Sequence, residues 1–264
     1  MKVVLFCGGL GTRIRDYSEN IPKPMIPVGH QPMLLHIMQY YSHFGHRDFI
    51  LCLGYKANAI KDHFLNLNPS AYGDCIISEF GKKVEAIGEG LPDWRIALVD
   101  TGIWRNIGER LMAVKHLVQD EEIFLANYSD GLTDVHLPDV IDRFKKSGKV
   151  GCFVAVRPPF NFHLVEFDKQ GTVNCVRSSQ ESEVWINGGY FIFRNTIFDY
   201  IRDGEELVLE PFNRLIEAGE LLAYKHEGFW RAMDTLRDKQ ILEDMVEKGR
   251  MPWRFQLPTD ENDP

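Results

Sequence analysis

The residues best suited to chemistry lie near the start of the chain. An apolar run of strand length, Val3 to Cys7, opens directly into Gly8-Gly9-Leu10-Gly11-Thr12-Arg13. Glycines after a strand let the backbone approach a phosphate without a Cβ clash and present N–H donors to it. Arg13 and Arg15 add charge that can bind phosphate through paired hydrogen bonds. The stretch therefore predicts a polyphosphate site, with an ordinary tight turn as the alternative for the glycines alone.

A lysine follows this stretch in Pro22-Lys23-Pro24-Met25. Because prolines flank Lys23 on both sides, we expect its backbone to be extended and stiff. Such a lysine can hold a cation in a fixed place beside a reacting phosphate. The stretch is neither a Walker loop, which needs G-x-x-x-x-G-K-[ST], nor a dinucleotide motif, because Gly9-Leu10-Gly11 lacks the third glycine at the required offset.

Asp130 is the first candidate metal ligand. It lies in Asn127-Tyr-Ser-Asp-Gly131, directly after the apolar run Ile123 to Ala126. Open α/β sheets bind their ligands beyond the carboxyl ends of strands, and a carboxylate there can hold a hard cation. The structural alternative is an Asp-Gly turn that ends the strand.

Asp234 is the second candidate, in Gly228-Phe-Trp-Arg-Ala-Met-Asp234-Thr. The aromatic residues before it predict a buried segment, and a buried carboxylate needs a partner or a metal. The structural alternative is an N-cap, because Thr235 to Val246 has the pattern of a helix. The two roles are compatible if the start of the helix faces the site.

Apolar runs of strand length alternate with helical periodicity along the chain. Strands are predicted at 3–7, 48–53, 75–78, 94–99 and 123–126, and helices at 33–44, 57–64, 107–118 and 235–246. The segment 82–94 has weak periodicity and is predicted to be a loop. The alternation implies right-handed βαβ crossovers and an α/β fold with a mostly parallel, doubly wound (Rossmann-like) sheet flanked by helices. The acidic tail 256–264 is predicted to be disordered.

Composition excludes several classes of protein. The chain has 264 residues and a net charge of −8, with no basic stripe for a nucleic-acid surface. No run approaches the ~20 apolar residues of a membrane span, and no signal peptide precedes the first strand, so we expect a cytoplasmic protein. The five cysteines lack metal-ligand spacing, and most lie in apolar runs, which predicts thiols in the core.

Gly8 to Arg13, taken with Pro22 to Met25, resembles the signature of sugar-1-phosphate nucleotidyltransferases. The likeness extends to the C-terminus and is closest to the glucose-1-phosphate cytidylyltransferases. It implies an enzyme that joins CTP to a sugar 1-phosphate, with glucose 1-phosphate as the expected acceptor, and releases pyrophosphate. We expect one domain, 1–255, with a nucleotide half at about 1–135 and an acceptor-binding half at about 136–255 that includes a smaller sugar-binding lobe. The expected partners are CTP and a phosphorylated small molecule, and we expect a homo-oligomer.

The resemblance also implies roles for individual residues. Asp130 and Asp234 would together hold Mg²⁺, and catalysis would rest on Lys23, Arg13 and Asp130. The nucleotide would be bound by Gly8, Gly9, Gly11, Thr12, Arg13 and Arg110. On the acceptor side, Asn187 in Ile186-Asn-Gly-Gly-Tyr190 and Glu210 in Glu210-Pro211 match family positions. For Arg110 the alternative is a surface position on a helix.

Nucleotidyl transfer makes one anion attack another, since a phosphate oxygen must reach the α-phosphorus of a nucleoside triphosphate. Positioning and charge neutralisation therefore supply most of the catalysis. Mg²⁺ on the two aspartates would bridge the phosphates. The attacking phosphate is already ionised at neutral pH, so the reaction needs no catalytic histidine or cysteine.

The acceptor side departs from the family pattern. Ser182 stands where cytidylyltransferases carry the lysine of Glu-Lys-Pro that binds the acceptor phosphate, and Asn161-Phe-His163 replaces an Arg-Phe-Gly run. Arg177, Lys169 or His163 could supply another cation. A cytidylyltransferase for a different phosphorylated acceptor therefore stays open as an alternative.

Two functions of other classes are weaker alternatives. A non-catalytic nucleotide-binding regulatory protein could keep the glycine-rich stretch, but it has less use for Lys23, Asp130 and Asp234 together. A dinucleotide-dependent reductase would need an acidic residue after the second strand to bind the ribose, and Leu53-Gly54-Tyr55 offers none.

Overall fold

The computed structural model describes residues 1–9, 11, 21–67, 75–79, 82–86, 93–159, 163–178 and 184–255. The strands in these ranges are β1 (Lys2–Phe6), β2 (Pro27–Val28), β3 (Gln31–Pro32), β4 (Asp48–Leu53), β5 (Cys75–Ser78), β6 (Lys83–Ala86), β7 (Arg95–Asp100), β8 (Ile123–Asn127), β9 (Gly131–Thr133), β10 (Gly151–Val156), β11 (His163–Phe167), β12 (Val173–Ser178), β13 (Ile186–Arg194), β14 (Leu221–His226) and β15 (Trp230–Ala232). The helices are α1 (Met33–His43), α2 (Ala57–Leu65), α3 (Ile107–Ala113), α4 (Lys115–Val118), α5 (Leu137–Ser147), α6 (Glu210–Glu217) and α7 (Leu236–Glu247), with 3-10 helices at Lys23–Met25 and Asn195–Asp199.

A central sheet carries the strand order β14-β10-β13-β8-β1-β4-β7. The pairs β1 with β4, β1 with β8, β4 with β7 and β10 with β14 are parallel. Only β13 runs against its neighbours β10 and β8. The predicted α/β class with a mostly parallel sheet is confirmed. Because β13 is reversed, its first residues lie at the edge where the neighbouring strands end.

The central sheet is buried on both faces. On one face Val3 and Leu5 of β1 pack with α1 and α5, and on the other Val4 and Phe6 pack with residues of α3 and α6. A strand covered on both faces needs apolar residues at every position, which explains the unbroken apolar run at the start of the chain. The described ranges contain no helix with the length and apolar character needed to cross a membrane.

Two predicted elements are wrong. Part of the predicted loop at 82–94 is the strand β6, which pairs with β5 in an antiparallel hairpin. Its strand character comes from backbone pairing outside the core, so apolar periodicity could not reveal it. The predicted helix at 107–118 is two helices, because Val114 leaves the helical conformation between α3 and α4 while its side chain stays fully buried.

The prediction of core thiols holds for Cys7, Cys52 and Cys152, which are buried. Burial raises the pKa of Cys7 to about 12, so this thiol is neutral at physiological pH. Cys175 is a correction, since it is only partly buried on β12. The hairpin of β11 and β12 lies outside the central sheet and leaves apolar side chains exposed at Val165, Phe167, Val173 and Val176.

Candidate active site

Lys23 lies between the two candidate metal ligands. Its Nζ is 2.9 Å from Asp130 Oδ2 and 2.6 Å from Asp234 Oδ1. Burial by itself lowers the pKa of Lys23, but the two carboxylates outweigh burial and leave that pKa raised. The lysine is therefore charged at physiological pH, and the cluster of three side chains has an excess negative charge. Residues from three separate motifs thus form one site.

The backbone of Lys23 is not extended, which corrects the prediction made from its flanking prolines. Lys23 begins a 3-10 helix in which Met25 N donates to Pro22 O at 2.8 Å and Ile26 N donates to Lys23 O at 3.1 Å. Proline is tolerated in a first helical turn because its missing N–H has no partner to lose there. Pro24 and Met25 are buried, so this turn is anchored in the core and restrains the lysine.

The short strands β9 and β15 bring the two carboxylates together. They pair antiparallel, with Gly131 opposite Ala232, and Met233 N donates to Asp130 O at 2.8 Å. Asp130 comes directly before β9 and Asp234 shortly after β15, so both leave the ladder at the same end. This pairing is the physical reason that carboxylates far apart in the chain share one lysine.

Neither prediction about the local setting of Asp234 is correct. Its side chain is 37% exposed, so the aromatic residues before it do not bury this carboxylate. It also does not cap α7. Thr235 is the N-cap, and its side chain accepts from Asp238 N while the Asp238 side chain accepts from Thr235 N. Asp234 is thereby left to pair with Lys23.

The turn that carries Asp130 is held in a strained conformation. Asn127 Oδ1 accepts a hydrogen bond from Ser129 N at 2.7 Å, and Ser129 has φ of 63°. A residue other than glycine persists in this left-handed region only where its surroundings hold it. Ser129 is fully buried, and its Oγ accepts a hydrogen bond from Cys7 Sγ at 3.5 Å. The ends of β1 and β8 therefore support Asp130 together.

The donor set of this site suits a divalent cation that is shared with a substrate. Asp130 and Asp234 already face one positive charge, and carboxylate oxygens are preferred ligands of Mg²⁺, which commonly takes its other ligands from water and phosphates. In the part of the chain that the structure describes, no group of three or more His, Cys, Asp or Glu side chains could form a metal site. A fully protein-built cage is therefore not present there, whereas a shared ion fits.

Arg110 lies beneath the glycine turn and is only 2% exposed. Its Nη1 donates to Leu53 O at 3.1 Å, Thr101 Oγ1 at 2.7 Å and Gly102 O at 2.9 Å, and its Nη2 donates to Gly8 O at 3.0 Å and Ile103 O at 3.2 Å. The alternative of a surface residue is wrong. These contacts attach the guanidinium to the protein backbone, and the predicted nucleotide contact of Arg110 stays a prediction.

We expect Gly8→Ala and Gly9→Ala to differ sharply in stability. A Cβ at Gly8 would lie 2.1 Å from Arg110 Nη1, whereas a Cβ at Gly9 would meet nothing within 4 Å. Overpacking should cost Gly8→Ala about 1–3 kcal/mol in the free energy of unfolding, and Gly9→Ala should change it by less than about 1 kcal/mol. Chemical denaturation without ligand measures both values. Equal destabilisation of the two variants would contradict the position of Arg110.

Other residues of the predicted nucleotide site are only partly described. Gly11 has φ of 61°, in the left-handed region that favours glycine, and Gly9 is exposed. Thr12 and Arg13 lie outside the described residues. Their predicted contacts with the triphosphate stay predictions.

Asn187 lies at the start of β13, at the edge where β8 and β10 end. Its Oδ1 accepts from Gly189 N at 2.9 Å, and its Nδ2 is 3.5 Å from Tyr128 Oη. Tyr128 N in turn donates to Gly189 O at 3.1 Å. Tyr128 comes just before Asp130 in the chain, so the segment predicted to bind the acceptor adjoins the turn that carries a candidate metal ligand.

Glu206 lies just before α6, and Glu210 is the first residue of that helix. Glu210 is exposed as the first residue of α6, and its predicted contact with the acceptor stays a prediction. Glu206, which no sequence motif marks, is electrostatically coupled to Tyr128, since burial and then the Glu206 carboxylate raise the pKa of Tyr128. Burial also raises the pKa of Glu206 itself. Only its position in the fold identifies Glu206 as a candidate functional residue.

The structure places two unpredicted cations near Asn187. Arg157 lies 4.2 Å and Lys225 lies 5.3 Å from the ring centroid of Trp185, just before β13. Arg177 forms an ion pair with Glu166 within the β11–β12 hairpin. His163 begins that hairpin and Lys169 lies in its turn, whereas Ser182 and Asn161 lie outside the described residues. Strand pairing between distant segments brings Arg157 and Lys225 to Trp185. A motif of consecutive residues therefore could not have revealed them.

Residues 2–238 match the family model described as "Nucleotidyl transferase". The chain therefore belongs to the nucleotidyl transferase family, and the resemblance carried by its motifs is confirmed. It is similar to the glucose-1-phosphate cytidylyltransferase of Salmonella typhimurium, at 39% identity over 96% of this chain and 99% of the relative. It is also similar to the protein of the same name from Salmonella typhi, at 40% identity over 96% of this chain and 99% of the relative.

Solved structures share the fold at low sequence identity. HddC from Yersinia pseudotuberculosis matches with a TM-score of 0.67 and 20% identity, covering 93% of this chain and 99% of that one. A UDP-glucose pyrophosphorylase complexed with UDP-glucose matches with a TM-score of 0.66 and 13% identity, covering 94% of this chain and 99% of that one. At these identities the likeness concerns the fold alone.

Proposed function

We propose that this enzyme transfers the cytidylyl group of CTP to glucose 1-phosphate, forming a CDP-sugar and pyrophosphate. The observation that carries the proposal is the convergence of Lys23, Asp130 and Asp234 at the carboxyl edge of the parallel strands. The near full-length similarity to glucose-1-phosphate cytidylyltransferases supports the choice of CTP and of this acceptor.

The catalytic task is to bring two phosphates together against their charge repulsion. Lys23 is held by its 3-10 turn, while its four-carbon stem lets the ammonium turn from a carboxylate to a phosphate oxygen. Asp130 and Asp234 would hold Mg²⁺, which when bound neutralises phosphate charge and keeps the attacking and leaving groups in line. Arg13 would stabilise the charge that builds on the departing pyrophosphate.

The decisive experiment is a screen for pyrophosphate release. CTP, dTTP, UTP and ATP are each offered with glucose 1-phosphate and with other sugar phosphates, in Mg²⁺. We expect the CTP and glucose 1-phosphate pair to give the highest kcat/KM. CTP binding without pyrophosphate release from any pair would instead favour a nucleotide-binding regulatory protein.

A different phosphorylated acceptor is the second candidate, favoured by Ser182 at the lysine position of the family pattern. If the lost cation matters, Ser182→Lys should lower KM for glucose 1-phosphate about tenfold or more, because a hydrogen bond to a charged group contributes about 1.5–3 kcal/mol. Steady-state kinetics with saturating CTP measures the change. Efficient use of glucose 1-phosphate by the unaltered enzyme, with no gain in the variant, would contradict this prediction.

If Ser182→Lys brings no gain, another cation must bind the acceptor phosphate. The candidates to test are then Arg157 and Lys225, which lie beside Trp185. Arg157→Gln and Lys225→Gln should then raise KM for glucose 1-phosphate more than for CTP. Arg143→Gln is a matched control, because Arg143 also lies over an aromatic ring, at 5.8 Å from the Tyr224 centroid.

We propose Mg²⁺ as the cation, a homo-oligomeric enzyme, a cytoplasmic location, and no nucleic-acid or membrane partner. Sedimentation equilibrium tests the assembly. Comparison of Mg²⁺ with Mn²⁺ and Ca²⁺ in the pyrophosphate assay tests the cation.

A further inference from the structure

The guanidinium of Arg110 joins the ends of three adjacent parallel strands. It binds Gly8 O after β1, Leu53 O at the end of β4, and the carbonyl oxygens of Gly102 and Ile103 after β7. These strands lie side by side in the order β1-β4-β7. A single side chain therefore determines how three segments leave the sheet at the edge where the glycine-rich stretch begins.

These contacts also orient the peptide groups at this edge. In a trans peptide the C=O and the following N–H point in opposite directions. Because Gly8 O and Ile103 O face Arg110, the N–H groups of Gly9 and Trp104 face away from it. Gly9 is exposed, and Trp104 is 83% exposed. Arg110 thus turns carbonyl oxygens inward and hydrogen-bond donors outward at this edge.

No carboxylate among the described residues contacts the buried guanidinium of Arg110. Its hydrogen-bond partners are carbonyl and hydroxyl oxygens, and in the described ranges no Asp or Glu forms an ion pair with it. Burial lowers the pKa of Arg110, but a guanidinium stays protonated at physiological pH. Glu109 and Asp100 oppose the effect of burial only from a distance, without an ion pair. A buried charge that no carboxylate contacts is costly, and an anion bound close to it reduces that cost.

We infer that Arg110 is a positioning residue that prepares this edge for the anionic phosphates of the nucleotide, by fixing the three segments and adding positive potential behind their outward N–H groups. The inference rests on the proposed function for the identity of the nucleotide. It differs from a direct contact with the base, because it predicts that Arg110 matters equally for a ligand that has phosphates and no base.

The test compares CTP with inorganic pyrophosphate, each titrated with Mg²⁺ by calorimetry into the full-length protein. Arg110→Met should weaken both ligands by tenfold or more, and Arg110→Lys should recover part of the loss because it keeps the charge. KM for the acceptor should change less than threefold. Arg194→Met is the matched control, because Arg194 also binds a backbone carbonyl, Lys149 O at 3.1 Å, at the opposite edge of the sheet.

The outcomes separate the possible roles of Arg110. Loss of CTP binding with unchanged pyrophosphate binding would overturn the inference in favour of a base contact. Unchanged binding of both ligands would show a role in folding alone. If Arg110→Met does not fold, Thr101→Val removes one acceptor of the guanidinium at 2.7 Å and should weaken both ligands to a smaller extent. Pyrophosphate binding that depends on Arg110 would uphold the inference even if CTP proves not to be the substrate.

Discussion

Asp130→Asn and Asp234→Asn are each expected to abolish measurable turnover and leave the fold intact. Each substitution removes one of the two negative charges that face the cation position, which Lys23 Nζ takes at 2.9 and 2.6 Å. A neutral amide is a weaker ligand for a hard divalent cation than a carboxylate. The measurement is kcat in saturating Mg²⁺, with far-UV circular dichroism to check the fold.

A matched control is Asp139→Asn, which alters an exposed carboxylate on α5 that pairs with His136. It should retain full activity. Activity above a tenth of the unaltered enzyme in either Asp130→Asn or Asp234→Asn would contradict the assignment of both carboxylates to the metal. If a variant keeps residual turnover, it should need more Mg²⁺ than the unaltered enzyme to reach half of its maximal activity. That result would support the assignment of both carboxylates to the metal.

Lys23→Ala is expected to lower kcat by about two to three orders of magnitude, as for the loss of a main electrostatic stabiliser of the transition state. The lysine is 14% exposed and touches both carboxylates, so its removal also leaves two like charges facing each other. Divalent cations should therefore raise the melting temperature of Lys23→Ala more than that of the unaltered protein.

The value of kcat and the thermal shift caused by divalent cations together distinguish a catalytic role of Lys23 from a purely structural one. Lys2→Ala is the control, because Lys2 is also partly buried and donates to Leu117 O at 2.7 Å, away from the site. An unchanged kcat in Lys23→Ala would mean that this lysine only stabilises the fold. Equal thermal shifts by Mg²⁺ in the variant and the unaltered protein would mean that the ion does not bind at the two carboxylates.

The amino-acid sequence alone predicted the fold class and the residues of the candidate catalytic cluster. The predicted strands 48–53 and 75–78 match β4 and β5 to the residue, because a short apolar run bounded by polar residues or glycine is a local pattern. The glycine turn, Lys23, Asp130 and Asp234 were recognisable for the same reason. Each lies in a short stretch whose residue types carry information without reference to the rest of the chain.

Tertiary structure alone decided how those residues meet. The β9–β15 pairing places Asp130 beside Asp234, and the reversed strand β13 brings Asn187 to the same edge. Arg110 could be predicted as a helix residue, but its burial under Gly8, Leu53 and Gly102 depends on which strands are neighbours. Local periodicity records which face of an element is apolar. Strand order and register arise instead from packing between distant segments. This packing places the Lys23 ammonium in contact with the carboxylates of Asp130 and Asp234.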